Sequence, residues 1–286
     1  MPGPKMNHCR GVYLFRLMRI CYYTWLLAGL LFTCAPAPAY GQFDYSVHSP
    51  ELLVDLPDEL EEISGLTLDG DDLLAIQDEN GIIFRVSTAD GSIKERILFA
   101  DDGDYEAVAL VGDEIWVARS NGHLYQVTAP GQPDQQVTRH KTWLDQDYDV
   151  EGLFYDAAGQ RLLLACKEDP PGNGMPKENR YVFSFDLETA RLDKEPAFTF
   201  PRYNDFSPSG LAIHPQSGNL YLTSSVGKQL AIVTPEGKVE LLVNLPRKFF
   251  PQPEGICFRP DGTMYISTEA RDGKPGRIYR LPLSPN

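Results

Sequence analysis

Basic side chains, cysteines and helix-length amphipathic stretches are all scarce in this chain. Its 286 residues carry 26 Lys and Arg against 40 Asp and Glu, a formal net charge of −14. Such a surface repels nucleic acid and anionic lipid, which argues against a DNA- or RNA-binding role and leaves cations and basic partners as the compatible ligands. Of five cysteines, Cys9, Cys21 and Cys34 fall within the first 41 residues, leaving Cys166 and Cys257 for the rest. Both lie in apolar strand patterns of separate segments, so two buried thiols are expected rather than a disulfide, a metal ligand or a nucleophile. No Ser sits in a Gly-x-Ser-x-Gly elbow, no His-x-x-x-His pair offers zinc ligands, and no Gly-rich loop precedes a helix. His214 stands before a Pro turn and His123 at the start of a strand, positions that suggest structural and surface roles respectively.

What is present begins with a leader. Residues 1–41 hold four of the basic side chains (Lys5, Arg10, Arg16, Arg19) and no acidic one, followed by an apolar run over residues 22–32 and the small-residue segment Cys34-Ala35-Pro36-Ala37-Pro38-Ala39. A basic head, an apolar run short for a membrane span and an Ala-x-Ala-like exit predict an export signal cleaved near residues 37–41. Two alternatives stay open: lipid attachment at Cys34, or an uncleaved anchor, either of which associates the protein with a membrane. The remaining residues, 42–286, then carry a balance of −18. Export to the periplasm or cell envelope follows.

Beyond the leader the chain repeats one unit: a carboxylate or serine, a glycine, an apolar strand, a turn, and a second apolar strand ending on polar residues. Gly65, Ala107, Gly152, Gly210 and Gly255 are equivalent, at spacings of 42, 45, 58 and 45 residues. A period of roughly 40–50 residues, with four short strands each, is the signature of a β-propeller. The long third interval reflects an insertion around residues 169–177. The fifth unit has room for three strands only, but Glu51-Leu52-Leu53-Val54-Asp55-Leu56-Pro57 matches the outer strand of the fourth unit, Glu240-Leu241-Leu242-Val243-Asn244-Leu245-Pro246, at all but one position. The expected architecture is therefore one all-β domain, a five-bladed propeller closed by the N-terminal strand.

The start of a blade's first strand and the end of its second emerge at one face. Strand starts supply Glu62, Glu106, Glu151, Ser209 and Glu254, and strand ends supply Asp78, Glu79, Arg119, Ser120, Lys167, Glu168, Ser224, Ser225, Thr268 and Glu269. Converging carboxylates repel one another and call for a cation, and an all-oxygen ligand set suits Ca²⁺ better than Mg²⁺. Glu62, Glu106, Glu151 and Glu254 are the candidate metal ligands; Asp78, Glu79, Arg119, Lys167, Glu168, Ser209, Ser224 and Glu269 are candidate ligand contacts. Alternatively, these residues only cap strand ends.

The segments Glu62-Ile63-Ser64-Gly65-Leu66, Asp78-Glu79, Asp104-Tyr105-Glu106, Glu151-Gly152-Leu153, Pro208-Ser209-Gly210-Leu211 and Pro253-Glu254-Gly255-Ile256 resemble the SdiA-regulated family of bacterial envelope propellers, which has some likeness to NHL repeats. The resemblance implies a calcium-binding propeller without a settled activity, and brings to mind phytase-like phosphoesterases and calcium-dependent lactonases. Two functions follow as expectations. One is a non-catalytic module that binds a small molecule or protein at its axial face; the other is a hydrolase whose axial ion acts on an ester or phosphoester, with Arg119 and Lys167 meeting an anionic substrate. Sequence does not decide between them, nor does it give the oligomeric state.

Overall fold

The computed structural model describes residues 43–168 and 174–283, so the expected leader and the tip of the inserted loop lie outside the described residues. Among the described residues, twenty-one strands form five antiparallel sheets arranged as blades. From the axis outward, blade one runs Ile63–Asp69, Asp72–Gln77, Ile82–Ser87, Ile93–Leu98, and blade two Tyr105–Val111, Glu114–Arg119, Leu124–Thr128, Gln136–His140. Blade three runs Val150–Asp156, Arg161–Cys166, Asn179–Asp186, with an outer strand split into Arg191–Leu192 and Phe198–Pro201. Blade four runs Gly210–Ile213, Leu220–Ser224, Gln229–Val233, Val239–Asn244. Blade five runs Pro253–Phe258, Met264–Thr268, Arg277–Leu281, and its outermost strand is Glu51–Asp55 from the other end of the chain. Among the described residues no helix is long and apolar enough to cross a membrane.

The blades form because their middle strands are apolar on both sides. Along the second strand of blade one, Leu73 and Ala75 pack toward blade five while Leu74 and Ile76 pack toward blade two. Blade three repeats the pattern, with Leu162 and Leu164 against blade two and Leu163 and Ala165 against blade four. Successive residues point to opposite faces, so a strand sandwiched between two neighbours reads as an unbroken apolar run. Among the described residues, five buried clusters result, one for each interface between blades. Cys166 and Cys257 sit in two of them as free, buried thiols, as expected.

The ring closes where the repeat in sequence requires. Glu51 pairs with Arg280, Leu52 with Tyr279, Val54 with Ile278 and Asp55 with Arg277. Two ion pairs reinforce the seam, Arg277 Nε to Asp55 Oδ1 at 2.6 Å and Arg280 Nη2 to Glu51 Oε2 at 2.6 Å. Being exposed, they contribute little beside the ladder itself. Upstream, Tyr45 bridges to Leu283 and donates its hydroxyl to the Gly262 carbonyl at 2.6 Å, tying the N-terminal segment to blade five a second time.

A variant that begins at Asp58 would leave the outer edge of Arg277–Leu281 unpaired and the interface at Leu56 and Tyr45 uncovered. We expect it to aggregate or to lose cooperative thermal unfolding. A shortened protein that melts cooperatively at the parent temperature would show that the strand is not the closure.

Candidate functional site: an acidic axial mouth

The inner strands approach one another most closely at the repeat glycines. A Cβ added to Gly210 would lie 2.5 Å from the Glu254 carbonyl oxygen, and one added to Gly255 would lie 2.6 Å from the Leu66 nitrogen. Side chains are therefore excluded at these positions, and the axis is pinched to a void of about 10 Å³, room for about one water. Ala107 takes the equivalent place in blade two.

At four of the five glycine positions the pairing of first and second strands slips. The slip lies between Ile63 and Gly65, Tyr105 and Ala107, Val150 and Gly152, and Pro253 and Ile256. Blade four, whose first strand starts at Gly210, has none. A β-bulge inserts an unpaired residue and re-aims it. The residues so placed are Ser64, Glu106, Glu151 and Glu254, with Ser209 completing the ring. Glu62 does not belong here: it precedes the strand and is exposed, because the equivalence with Glu106 runs one place before the glycine, not three.

Two residues upstream lies a second ring, Glu62, Asp104, Asp149, Ser207 and Gln252, and opposite it a third, Asp78, Ser120, Lys167, Ser224 and Glu269. Backbone hydrogen bonds join the second and third rings: Asp78 to Glu62, Ser120 to Asp104, Lys167 to Asp149 and Glu269 to Gln252. In blade four the Ser207 amide donates instead to Ser224 Oγ. Of these fifteen positions eight are carboxylates and one is a lysine. Sequence reasoning missed Asp104, Asp149 and Ser64. The signal for the two aspartates was the repeated Asp-x-Glu of residues 104–106 and 149–151.

The electrostatics follow from burial. Glu254 is almost wholly buried, and burial, then Glu151 and Glu269, push its pKa well above the usual carboxylate range. Glu106 is raised by burial and by Glu151 and Asp104, and Glu151 by burial, offset in part by Lys167. Glu269 rises to about 7 and Asp78 to about 6, both chiefly through burial. Lys167 is the local counter-charge, 2.5 Å from Glu151 Oε1 and 3.7 Å from Asp149 Oδ2. Asp78 Oδ1 is buried without a hydrogen-bond partner.

The other expected contacts are dispersed. Ser209 Oγ donates to the Pro253 carbonyl, and Ser224 Oγ accepts the Ser207 and Gly227 amides, so both brace blade four. Arg119 pairs with Tyr105 in the ladder, one residue out of phase with the third ring, and its charge acts on Tyr105 and His123. Glu79 and Glu168 are exposed at the rim. His123 is half-buried rather than on the surface, because its strand leads into the interblade space. Among the described residues no three His, Cys, Asp or Glu side chains close around one point as a ready metal cage.

Fold and mouth together define a five-bladed, all-β propeller with an acidic axial face. The family model described as SdiA-regulated matches residues 49–281, and the chain belongs to that family. Among solved structures it is similar to glutaminyl cyclase from Myxococcus xanthus, at 13% identity and a TM-score of 0.56 over 82% of this chain and 93% of that one. It is also similar to the PQQ-bound aldose sugar dehydrogenase of Streptomyces coelicolor, at 14% identity and a TM-score of 0.50 over 82% and 98%. At such identities the likeness is one of fold alone. No curated protein matches the sequence.

A carboxyl whose pKa is higher in the folded state keeps its proton there while the unfolded chain has lost it, so stability falls as pH rises. For Asp78 and Glu269 the window runs from their unfolded values near 4 to about 7. Metal-free protein should therefore melt at a lower temperature at pH 8 than at pH 5. Glu269→Gln should flatten that dependence in thermal unfolding; an unchanged slope would show that Glu269 is not among the groups that cause it.

Proposed function

We propose that the protein is a binding module of the cell envelope whose acidic mouth takes Ca²⁺ and presents the loaded face to a small molecule or protein. The observation that carries this reading is the imbalance of eight carboxylates against one lysine over the three rings, with Glu254 and Glu151 buried. Like charges so placed stay ionised at neutral pH only if a cation joins them. The donors on offer suit a hard ion, being carboxylate oxygens with the orphaned Asp78 Oδ1 as a free acceptor. Glu106, Glu151 and Glu254 would hold the ion, with Asp78 and Glu269 beside them; Ca²⁺ there would supply charge neutralisation and an electrophilic point for ligand oxygens. Waters complete irregular Ca²⁺ shells readily, so the side chains need not form a closed cage beforehand.

The same residues speak for binding ahead of hydrolysis. Lys167, the expected contact for an anionic substrate, is held by Glu151 and Asp149, and Arg119 stands beside Tyr105 and His123. Lys167 is therefore not left to meet a phosphate or carboxylate. Envelope location is inferred from residues 1–41 and their signal-like pattern.

An ion that binds only the folded state stabilises it by about 2.7 kcal/mol at a hundredfold excess over its dissociation constant. Chelation should accordingly lower the melting temperature of the wild type. The double variant Glu106→Gln/Glu254→Gln keeps the shape, removes two carboxylates and should lose most of that dependence. Identical melting curves with excess calcium and with excess chelator, after verified metal removal, would reject the ion site.

A further inference from the structure

The opposite end of the axis is built from different chemistry. There residues near the ends of the five inner strands, Leu68, Leu110, Phe154, Ile213 and Phe258, line a cavity of about 470 Å³. All five are only half-buried. One apolar side chain per blade thus faces a concave space that no other part of the described chain fills. Its size lies within the range of small-molecule sites, roughly 300–1,000 Å³. The pinch at the repeat glycines separates it from the acidic mouth.

The charged groups along the wall, and His214, are already matched. Tyr45 gives its proton to the Gly262 carbonyl, so His214 Nε2–H donates to the Tyr45 oxygen at 2.9 Å, and His214 Nδ1 accepts the Ser217 amide at 3.2 Å. That pattern keeps the ring neutral, and burial lowers its pKa further. Asp156 takes Arg161 Nε at 2.9 Å on one oxygen and the Gly159 amide at 3.2 Å on the other. Arg259 Nη2 reaches Asp71 Oδ1 at 2.6 Å, with Nη1 3.4 Å from Thr88 Oγ1. Among the described lining residues, Asp156 and Arg259 are the charged ones, and each has its counter-ion.

His214 is also stacked on Tyr221, with ring centroids 5.3 Å apart, and meets Phe258 edge-on at 5.0 Å. Tyr45 packs against the same rings. This brace holds the wall of blades four and five in place, so the cavity does not depend on a ligand to shape it. A preformed apolar cavity whose charges are internally paired rewards apolar area and penalises a buried unpaired charge.

We propose that this second mouth is a binding site for an uncharged, largely apolar small molecule of about two or three rings. The proposal rests on this mouth alone and is independent of the reading of the acidic one. N-phenyl-1-naphthylamine is a suitable probe, because it is uncharged and fluoresces in apolar surroundings; 1-anilinonaphthalene-8-sulfonate adds a sulfonate to the same ring system. Titrated into folded protein, the neutral probe should bind saturably at one equivalent, and the sulfonate at least about tenfold more weakly. Leu110→Trp and Leu68→Trp, each filling the cavity from a different blade, should abolish the signal while cooperative melting is retained. The absence of saturable binding, its survival in both filled variants, or equal affinity for the two probes would overturn the proposal. Should neither filled variant fold, nuclear Overhauser contacts from the probe to the Ile213 and Leu68 methyl groups decide the same question, their absence counting against it.

Discussion

The closeness of the inner strands at the axis is the constraint from which the rest of the molecule follows. Five strands cannot meet around a line unless one residue of each lacks a side chain where they touch, or nearly so, and Gly65, Ala107, Gly152, Gly210 and Gly255 are those residues. Hydrogen bonds from side chains lock the approach: Ser64 Oγ to the Tyr105 carbonyl at 2.7 Å, Ser209 Oγ to Pro253 at 2.7 Å and Thr223 Oγ1 to Glu254 at 2.5 Å. Each crosses from one blade to the next, so an inner strand is held by its neighbour as well as by its own sheet. In four of the five blades a bulge lies at this belt and re-aims the residue before the glycine position, whereas blade four reaches the axis without one.

Gathering carboxylates above the belt opposes folding, and magnitudes show why the fold tolerates it. Each unit by which burial raises a carboxyl pKa corresponds to about 1.4 kcal/mol. Fully burying one large aliphatic side chain contributes about 1.5–3 kcal/mol. The interface between blades three and four alone buries Leu163, Val182, Leu211, Leu220, Leu222 and Val233. The five interfaces can therefore sustain a mouth whose charges are poorly matched. Blade four sustains none of it: Ser207, Ser209 and Ser224 make its arc neutral, so the acidic set forms a horseshoe rather than a ring.

The fold was legible because its determinants are long and redundant. Doubly apolar second strands, four short strands per repeat and the near-identity of residues 51–57 and 240–246 each point to the same ring, and the third strand of blade five falls at Arg277–Leu281 as its pattern requires. The mouth was legible only in outline. A bulge shifts alternation by one residue, so whether a carboxylate stands one or three places before the glycine decides which ring it joins, and an acidic residue at 62 masks the serine at 64. Arg119 illustrates the same limit from the other side: a basic residue at a strand end looks like a mouth residue until the register places it opposite Tyr105. Lys167 was visible as a charge, but its commitment to Asp149 and Glu151 needs their geometry.

A single inner strand connects the two mouths. In blade five, Pro253–Phe258 carries Glu254 at the acidic end, Gly255 at the pinch and Phe258 at the apolar end. At about 3.3 Å per residue the Glu254 and Phe258 side chains are roughly 13 Å apart along the strand. Yet Gly255 lies close against blade one, with the Leu66 nitrogen and Cβ standing where a side chain would be. A shift at either mouth would have to move blade one as well, against the cluster of Leu66, Leu73, Phe84 and Ile278 that fills their interface. The contact that closes the axis to traffic therefore also anchors the walls on both sides of it, and the two ends of the propeller act as separate, preformed surfaces on one rigid ring.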